Sequence, residues 1–344
     1  MIMKITAISL SRVQSPTRFG SATRMPDFVA LMKPRIMLLS VFTALVGMAI
    51  APRLLDPLHT LLAFIGIAAG AGAAGILNMW YDADIDAVMA RTARRPIPRG
   101  TISRAEALVF GLVLACTAVA VLAVVTNFKA AALLAFTIFF YAVVYTIWLK
   151  RHTAQNIVIG GAAGALPPVI GWTAATGEIS IEPIVLFLII FMWTPPHFWA
   201  LSLNRADEYG RAGIPMLPVV AGKAATTQQI FVYSVLLVPV SILPWALGFA
   251  GTFYAAVALI CGTIFIALAQ RLRRSLGFDR QAARRLFVFS IAYLFLLFAA
   301  LLADSSGRSF SFSDAQPAGQ PVQAQMPPAS QAADSFLVVN SSEV

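Results

Sequence analysis

Nine apolar segments, each close to the length of a membrane-spanning helix, dominate this chain of 344 residues. A helix needs about 20 apolar residues to cross the hydrocarbon core of a bilayer. Hydrophobic residues make up 59% of the sequence and charged residues only 12%, and the mean hydropathy is +0.80. Because helices satisfy their own backbone hydrogen bonds in lipid, we predict an all-α fold, a polytopic membrane bundle. The predicted spans lie near residues 34–52, 60–80, 105–126, 130–149, 155–175, 181–203, 228–249, 251–270 and 286–303.

The basic residues predict how the chain crosses the membrane. The net charge is +10, but 22 of the 25 Lys and Arg residues fall in the N-terminal segment and in alternate loops, as in membrane proteins rather than nucleic-acid-binding proteins. Since basic loops stay on the cytoplasmic side, the N-terminus is predicted to be cytoplasmic and the C-terminus periplasmic, in a bacterial inner membrane. A mitochondrial inner membrane is the alternative, because the first 26 residues contain no acid.

Composition divides the chain into three parts. Residues 1–29 form a basic N-terminal arm that is predicted to be disordered. Residues 30–303 form the membrane domain. Residues 304–344 are rich in Ser, Ala, Gln and Pro and are predicted to be a disordered tail.

Three oxygen-bearing side chains lie four residues apart at the end of the second span. They are Asn78, Asp82 and Asp86, and Asn78 is the only strongly polar residue in the run 60–79. A carboxylate at mid-bilayer costs roughly 2.5–3.5 kcal/mol on insertion scales, so such groups point to function rather than to packing. In a helix this spacing places all three on one face, with Asp84 on the other. The strip suits Mg²⁺, which takes one or two carboxylates together with water and phosphate oxygens.

Two basic loops accompany this strip. The first loop, 91–99, contains Pro96 and Pro98, which are predicted to end the helix and stiffen the chain. The second loop is predicted over 145–156. Arg pairs with phosphate oxygens bidentately, so an acidic strip beside basic residues favours a diphosphate site; topology alone is the alternative explanation for both loops. The candidate diphosphate ligands are Arg91, Arg94, Arg95, Lys150 and Arg151.

A third loop is predicted to begin at the end of the sixth span. Pro195 and Pro196 are predicted to break that helix, with His197 in the break. A His within a membrane span is a functional candidate, either for substrate contact or, more narrowly, for iron ligation. Asp207 and Glu208 follow and offer a second carboxylate set.

Small and basic residues near two other spans have simpler explanations. The glycines and alanines of 160–168 are predicted to let helices approach closely, or else to leave room for a flat or long ligand. Lys33 and Arg35 abut the first span and are predicted to anchor it at the membrane interface.

Together these motifs resemble the UbiA superfamily of intramembrane prenyltransferases. The pattern Asn-x-x-x-Asp-x-x-x-Asp at a span end, a polar loop after the sixth span and nine spans carry the resemblance. The stretches 193–199 and 213–220 are more specific and are similar to the protoheme IX farnesyltransferase (heme O synthase) branch. The resemblance covers about residues 30–303. The Asp-x-x-x-Asp of the superfamily's second motif is absent here.

The resemblance implies nine helices around a central cavity that opens to the cytoplasm and holds Mg²⁺ and a diphosphate. It implies transfer of a farnesyl group from farnesyl diphosphate to a vinyl group of heme b, which is a substrate rather than a cofactor. The implied catalytic and metal ligands are Asn78, Asp82, Asp86 and, for the metal only, Asp207. The candidate heme contacts are His197, Arg35 and Trp199.

The product, heme O, is a step toward heme A for terminal oxidases, so a heme A synthase or an oxidase assembly factor is the implied protein partner. Two other functions remain open on sequence alone. One is prenyl transfer to another acceptor, such as a quinone precursor or chlorophyllide. The other is ion-coupled transport. The position of the polar groups counts against transport, because they cluster at one membrane face rather than near the midplane.

Overall fold

The structure, a computed structural model, describes residues 24–313 and contains only helices, turns and loops within that range. Eight helical stretches in it are long and apolar enough to cross a membrane, and Met37–Ala49 is a shorter apolar helix. The predicted all-α membrane fold is confirmed, with nine as an approximate number of spans. The eight are Pro57–Tyr81, Arg104–Val125, Phe128–His152, Asn156–Thr176, Ile181–Leu203, Gly222–Ala246, Thr252–Arg274 and Arg280–Ser305.

Fifteen α-helices and one π-helix make up the described chain. In order they are α1 (Met25–Leu31), α2 (Pro34–Ala49), α3 (Pro57–Tyr81), α4 (Ala83–Val88), α5 (Arg104–Val125), α6 (Phe128–Phe139), the π-helix (Phe140–Leu149), α7 (Lys150–His152), α8 (Asn156–Ala165), α9 (Pro167–Thr176), α10 (Ile181–Leu203), α11 (Ala206–Arg211), α12 (Leu217–Val220), α13 (Gly222–Ala246), α14 (Thr252–Arg274) and α15 (Arg280–Ser313).

The ends of the membrane domain differ from the predicted boundaries. Helix α1 begins at Met25, inside the predicted arm of 1–29, and α15 continues to Ser313, past the predicted boundary at 304. One compact unit extends to Ser306, and the chain from Gly307 is a separate unit. Residues 1–23 and 314–344 lie outside the described residues, so their disorder stays a prediction.

Buried apolar side chains form three clusters. The largest joins α8, α10, α13, α14 and α15, and the second joins α2, α3, α5, α6 and α9. The third is small and packs α1 and the loop before α5 against the end of α3. This last cluster packs around the end of α3, where the acidic strip begins.

Helix starts are set by local hydrogen bonds. The Asp56 carboxylate accepts hydrogen bonds from the N–H groups of Leu58 and His59 at the start of α3. Ser103 and Glu106 form a reciprocal capping box at the start of α5. Such caps satisfy N–H groups that have no partner inside the helix. They define where α3 and α5 begin, and the two helices then pack side by side.

The prediction that Pro195 and Pro196 break the sixth span was wrong. Helix α10 runs without interruption from Ile181 to Leu203. Each proline removes one backbone donor, but both prolines are buried, and the Thr194 hydroxyl donates to the Ile190 carbonyl at 2.8 Å. Packing by neighbouring helices lets a membrane helix tolerate internal proline.

The predicted second loop, 145–156, is mostly helical. The fourth span continues through the π-helix and α7, and the break before α8 is confined to residues 153–155. In the π-helix the Thr146 hydroxyl donates to the Tyr141 carbonyl, five residues back, at 2.7 Å. The wider turn changes which side chains face α3, and π-helical turns are frequent at functional sites.

Close helix contacts confirm the role predicted for the small residues of 160–168. A Cβ atom on Gly160 would lie 2.2 Å from the Tyr145 ring, and one on Gly161 would lie 2.8 Å from the Thr194 side chain. Each glycine therefore lets its neighbour approach to a distance that a larger residue would forbid. Gly164 differs, since a Cβ there would meet nothing within 4 Å.

Helices α2 and α9 cross with their backbones in close contact. A Cβ atom on Gly171 would lie 2.0 Å from the Ala44 carbonyl oxygen, and one on Gly47 would lie 2.3 Å from the Pro168 carbonyl oxygen. Both obstacles are backbone atoms, which cannot rotate away as a side chain can. We therefore regard this crossing as the contact least able to accept a larger residue.

We expect Gly171→Ala to lower the stability of the purified protein by about 1–3 kcal/mol, because one methyl group forces two backbones apart. The measurement is the thermal unfolding midpoint in detergent. Gly164→Ala is the matched control, since it adds the same methyl group where space is open. Equal midpoints for the two variants would contradict the close crossing.

Candidate functional site

The acidic strip forms one continuous face although two helices carry it. Helix α3 ends at Tyr81 and α4 begins at Ala83, but the Asp82 N–H donates to the Asn78 carbonyl at 3.0 Å and the Asp86 N–H donates to the Asp82 carbonyl at 2.8 Å. Helical register therefore continues through the junction. The exposed fractions of Asn78, Asp82 and Asp86 are 5%, 1% and 3%, so the strip is buried.

The amide group of Asn78 joins the strip to the π-helix. Its Nδ2 donates to Asp82 Oδ2 at 2.9 Å and to Thr146 Oγ1 at 3.0 Å. Thr146 is fully buried. Thr146 could not be predicted from the sequence, because its contact with Asn78 depends on the π-helical turn, which has no sequence signal known to us.

Basic side chains from three separate segments contact the strip, and two of them pair with its carboxylates. Lys33 Nζ donates to Asn78 Oδ1 at 2.7 Å, and Arg95 Nη1 donates to Asp86 Oδ2 at 2.6 Å. Lys150 Nζ pairs with Asp82 Oδ2. Lys150 and Arg95 were predicted as basic ligands of the site, and the structure brings both to it. A buried carboxylate without such a partner would be strongly disfavoured.

Lys33 lies in the site, so its predicted role as an interface anchor needs correction. It adopts a left-handed backbone, with φ 54° and ψ 51°, between α1 and α2. Such a conformation is strained for a residue with a Cβ atom and occurs preferentially at functional sites. The turn rests on α3, where a Cβ on Gly75 would lie 3.8 Å from Lys33 Cδ. Burial, together with the nearby Arg95 and Lys150, lowers the pKa of Lys33 to about 7. Arg35 is exposed.

Arg151 binds Asp84 and lies close to Asp82 of the strip. Its guanidinium makes a bidentate pair with Asp84, at 2.9 Å for both contacts, and lies 4.6 Å from the centre of the Tyr81 ring. Asp84 is exposed, unlike the three residues of the strip. Arg151 Nη2 lies 3.9 Å from Asp82 Oδ1, which is buried and accepts no hydrogen bond within the described chain.

The loop after α4 positions Arg95 and leaves two other predicted ligands outside. The Thr92 hydroxyl donates to the Asp86 carbonyl at 3.0 Å, which folds the loop back onto the strip. Arg91 and Arg94 are exposed. Arg91 lies beside Tyr209. Burial raises the pKa of the Tyr209 phenol. Of the three arginines predicted here for diphosphate, the structure brings Arg95 into contact with the strip.

The second predicted carboxylate set does not assemble. Asp207 is exposed on α11, and Glu208 lies 3.9 Å from Arg205. Among residues 24–313, no group of three His, Cys, Asp or Glu side chains is arranged to hold a metal ion. The structure thus offers one oxygen-rich strip, which includes an amide, rather than two carboxylate clusters.

The three candidate heme contacts lie in different environments. His197 is buried and stacks between Trp193 and Phe287, with ring centroids 4.2 and 4.8 Å away. Its Nδ1 lies 2.6 Å from Ser290 Oγ. Trp199 is 2% exposed, and its indole N–H has no hydrogen-bond partner within the described chain. Arg35, by contrast, is exposed.

The donor set of the strip fits Mg²⁺. All its donors are amide or carboxylate oxygens, the ligands that this hard cation prefers. Asp82 Oδ1 is a buried acceptor without a donor, which is costly unless something else satisfies it. The surrounding ammonium and guanidinium groups fit a polyanion such as diphosphate. The arrangement is therefore suited to a metal-bound diphosphate, with carboxylates on one side and cations around it.

Comparison with known proteins gives close sequence relatives. A Mesorhizobium japonicum protein named protoheme IX farnesyltransferase 2 is 59% identical over 281 residues, which cover 81% of this chain and 90% of that protein. The protoheme IX farnesyltransferase of Afipia carboxidovorans is 58% identical over 299 residues, which cover 86% and 96% of the two chains. The relatives are thus matched over nearly their whole length.

Solved structures share the fold at much lower sequence identity. A structure described as digeranylgeranylglyceryl phosphate synthase in membranes has a TM-score of 0.69 at 19% identity and covers 82% of this chain and 99% of its own. An Archaeoglobus fulgidus UbiA homologue bound to GPP and Mg²⁺ has a TM-score of 0.57 at 15% identity, covering 80% and 99%. The model of the UbiA prenyltransferase family matches residues 40–304. This chain therefore belongs to the UbiA prenyltransferase family.

Proposed function

We propose that this protein transfers a farnesyl group from farnesyl diphosphate to a vinyl group of heme b, which gives heme O and diphosphate. The observation that carries the proposal is the identity of 59% over 281 residues with a protein named protoheme IX farnesyltransferase. The buried strip and its cations support the same chemistry. Family membership favours prenyl transfer over the transport that the sequence alone left open.

The proposed reaction begins with ionisation of the allylic diphosphate. The C1–O bond of the farnesyl group breaks, and its electron pair leaves with the diphosphate. Lys33, Lys150 and Arg95 surround the strip and would stabilise the charge that grows on the leaving oxygens. Mg²⁺ held by Asn78, Asp82 and Asp86 would supply further charge neutralisation to the same oxygens. We propose Arg91, Arg94 and Arg151 as additional contacts of the diphosphate.

The allylic cation is then captured by heme. The terminal vinyl carbon attacks farnesyl C1, and water adds to the cation left beside the pyrrole ring and loses a proton. The product carries a hydroxyethylfarnesyl group, and the protein supplies no covalent nucleophile. The apolar helices around the buried strip would delay water until the new carbon–carbon bond has formed.

The heme site is proposed from His197, Arg35 and Trp199, with Arg35 directed to a propionate. Because Ser290 occupies His197 Nδ1, Nε2 is the ring nitrogen that remains for a ligand. Asp207, which is exposed on α11, stays a proposed metal ligand. We further propose a cytoplasmic N-terminus, a bacterial inner membrane and delivery of the product to a heme A synthase.

Purified protein incubated with heme b, farnesyl diphosphate and Mg²⁺ is expected to yield heme O, identified by product mass. Chelation of Mg²⁺ by EDTA should stop the reaction, and added Mg²⁺ should restore it, because the strip carries the donors for this ion. If only a quinone precursor or chlorophyllide gave a prenylated product, that compound and not heme would be the acceptor. Ion flux in proteoliposomes without diphosphate release would overturn prenyl transfer.

Asp82→Asn is expected to lower the rate of farnesyl transfer by about 100-fold or more, the effect expected when a pre-organised charge is lost at a reacting group. The change keeps the size of the side chain and removes its charge. Asp279→Asn is the matched control, since Asp279 caps α15 through the N–H groups of Gln281 and Ala282. Similar rates for both variants would remove Asp82 from the mechanism.

His197→Phe is expected to weaken heme b binding by about tenfold, equivalent to the loss of a contact of about 1.4 kcal/mol. Phenylalanine keeps the aromatic stack with Trp193 and Phe287, so packing alone should change little. The measurement is a titration of the heme Soret band in detergent. An unchanged affinity would assign His197 to packing.

A further inference from the structure

We propose that Ser290 is a positioning residue for heme: it holds His197 as the Nδ1–H tautomer, so that the lone pair of Nε2 is available to coordinate the heme iron. Ser290 lies on α15 and His197 on α10, so their contact joins two helices. The inference rests on the proposed function for the identity of the ligand. It adds a residue outside the predicted heme contacts and gives the imidazole a defined chemical role.

The single hydrogen of the Ser290 hydroxyl determines the tautomer. A serine hydroxyl can donate one hydrogen bond, and it can also accept through its lone pairs. Ser290 Oγ donates to the Phe287 carbonyl at 2.6 Å. In its second contact, at 2.6 Å from His197 Nδ1, the hydroxyl must therefore accept and the imidazole must donate. In a neutral imidazole the other nitrogen, Nε2, then carries the free lone pair.

The opposite tautomer would leave two hydrogen-bonding groups without partners. If His197 Nδ1 accepted from Ser290, the hydroxyl would have no hydrogen left for the Phe287 carbonyl. The imidazole hydrogen would then lie on Nε2, which makes no hydrogen bond among residues 24–313. A buried donor without an acceptor is disfavoured. The contacts therefore favour the Nδ1–H form.

Neighbouring rings fix the plane of the imidazole. His197 is 8% exposed and stacks between Trp193 and Phe287, so its ring is held on both faces. The Trp193 indole N–H donates to the Ser290 carbonyl at 2.7 Å. Ser290 thus holds Trp193 through its backbone and His197 through its side chain, one helical turn apart on α10. Both the direction of Nε2 and its protonation follow from these contacts.

This arrangement is the one that a histidine ligand of a metal requires. Such a histidine almost always donates its second N–H to a protein group or water, which fixes its tautomer and orientation. Here the acceptor is a hydroxyl, and its own hydrogen bond to a carbonyl polarises it and strengthens it as an acceptor. A neutral acceptor raises the basicity of Nε2 less than a carboxylate would. A ligand of moderate strength suits heme that enters as a substrate and leaves as a product.

Another buried serine shows what the same hydroxyl does without an imidazole. Ser234 on α13 is fully buried, and its Oγ donates to the Ile230 carbonyl at 2.6 Å. That contact stays within one helix, whereas the Ser290 hydroxyl also bonds a ring on a second helix. Ser234→Ala is therefore the matched control for Ser290→Ala, because each removes one buried hydroxyl from a membrane helix.

The tautomer can be measured without heme. The chain has three histidines, of which His59 and His152 are exposed. His59→Gln and His152→Gln together leave His197 as the single histidine. Its ring nitrogens are observed by solid-state NMR with ¹⁵N-labelled histidine, in lipid vesicles at about pH 8, where an ordinary imidazole is neutral. We expect a protonated Nδ1 and an unprotonated Nε2, and a mixture of tautomers after Ser290→Ala.

Coordination is measured on bound heme b. The resonance Raman spectrum of the ferrous complex should contain an iron–histidine stretching band in the wild-type protein and lack it in His197→Phe. Ser290→Ala should weaken this band and lower the affinity for heme b by up to about tenfold, the loss expected for removal of the whole imidazole. Ser290→Thr keeps a hydroxyl and should restore the band, and Ser234→Ala should leave it unchanged. Thermal unfolding in detergent establishes that each variant is folded, and the NMR of the parent protein tests the tautomer even if Ser290→Ala does not fold.

The outcomes separate this inference from the proposed function. A protonated Nε2 in the parent protein would overturn the inference, as would a folded Ser290→Ala variant with an unchanged tautomer and band. Farnesylation of heme b by wild-type protein that shows no iron–histidine band would also overturn it and leave the proposed function intact. A band that depends on Ser290, in a protein that forms no heme O, would contradict the proposed function alone. Absence of any heme b binding would overturn both.

Discussion

Neutralisation of buried carboxylates is the constraint on which this structure depends. Asp82 and Asp86 are almost fully buried, and their charges are balanced by Lys150 at the start of α7 and by Arg95 in the loop after α4, while Lys33 of the α1–α2 turn binds the amide of Asn78. Four segments of the chain therefore meet at one strip. If the segment that carries Lys150 or Arg95 moved away, a buried carboxylate would lose its partner. The need to neutralise these carboxylates therefore determines how the segments of the site are arranged.

The spans and the strip were accessible from sequence because both follow from short-range rules. Apolar length predicts a span, and four-residue spacing predicts a shared helix face. Lys33 was misplaced because a basic residue next to a span ordinarily faces the interface, whereas here α3 approaches the turn at Gly75. The intact α10 was missed because proline propensity is local, while the packing that overrides it is tertiary.

Fold and chemistry are supported by different kinds of similarity. The solved structures at 15% and 19% identity share the helical architecture and carry no information on the acceptor. The choice of heme rests on relatives of 58% and 59% identity. The local structure adds something that neither gives, namely which basic side chains contact which oxygens of the strip.

The π-helix has a consequence for how this protein tolerates change in length. A residue removed from Phe140–Leu149 would let the segment relax into an ordinary α-helix and would change the directions in which its side chains point. Thr146 and Lys150 would then no longer both face Asn78 and Asp82. In this stretch a deletion would be more damaging than most substitutions, because phase along the helix, rather than the identity of each side chain, delivers the cation to its carboxylate.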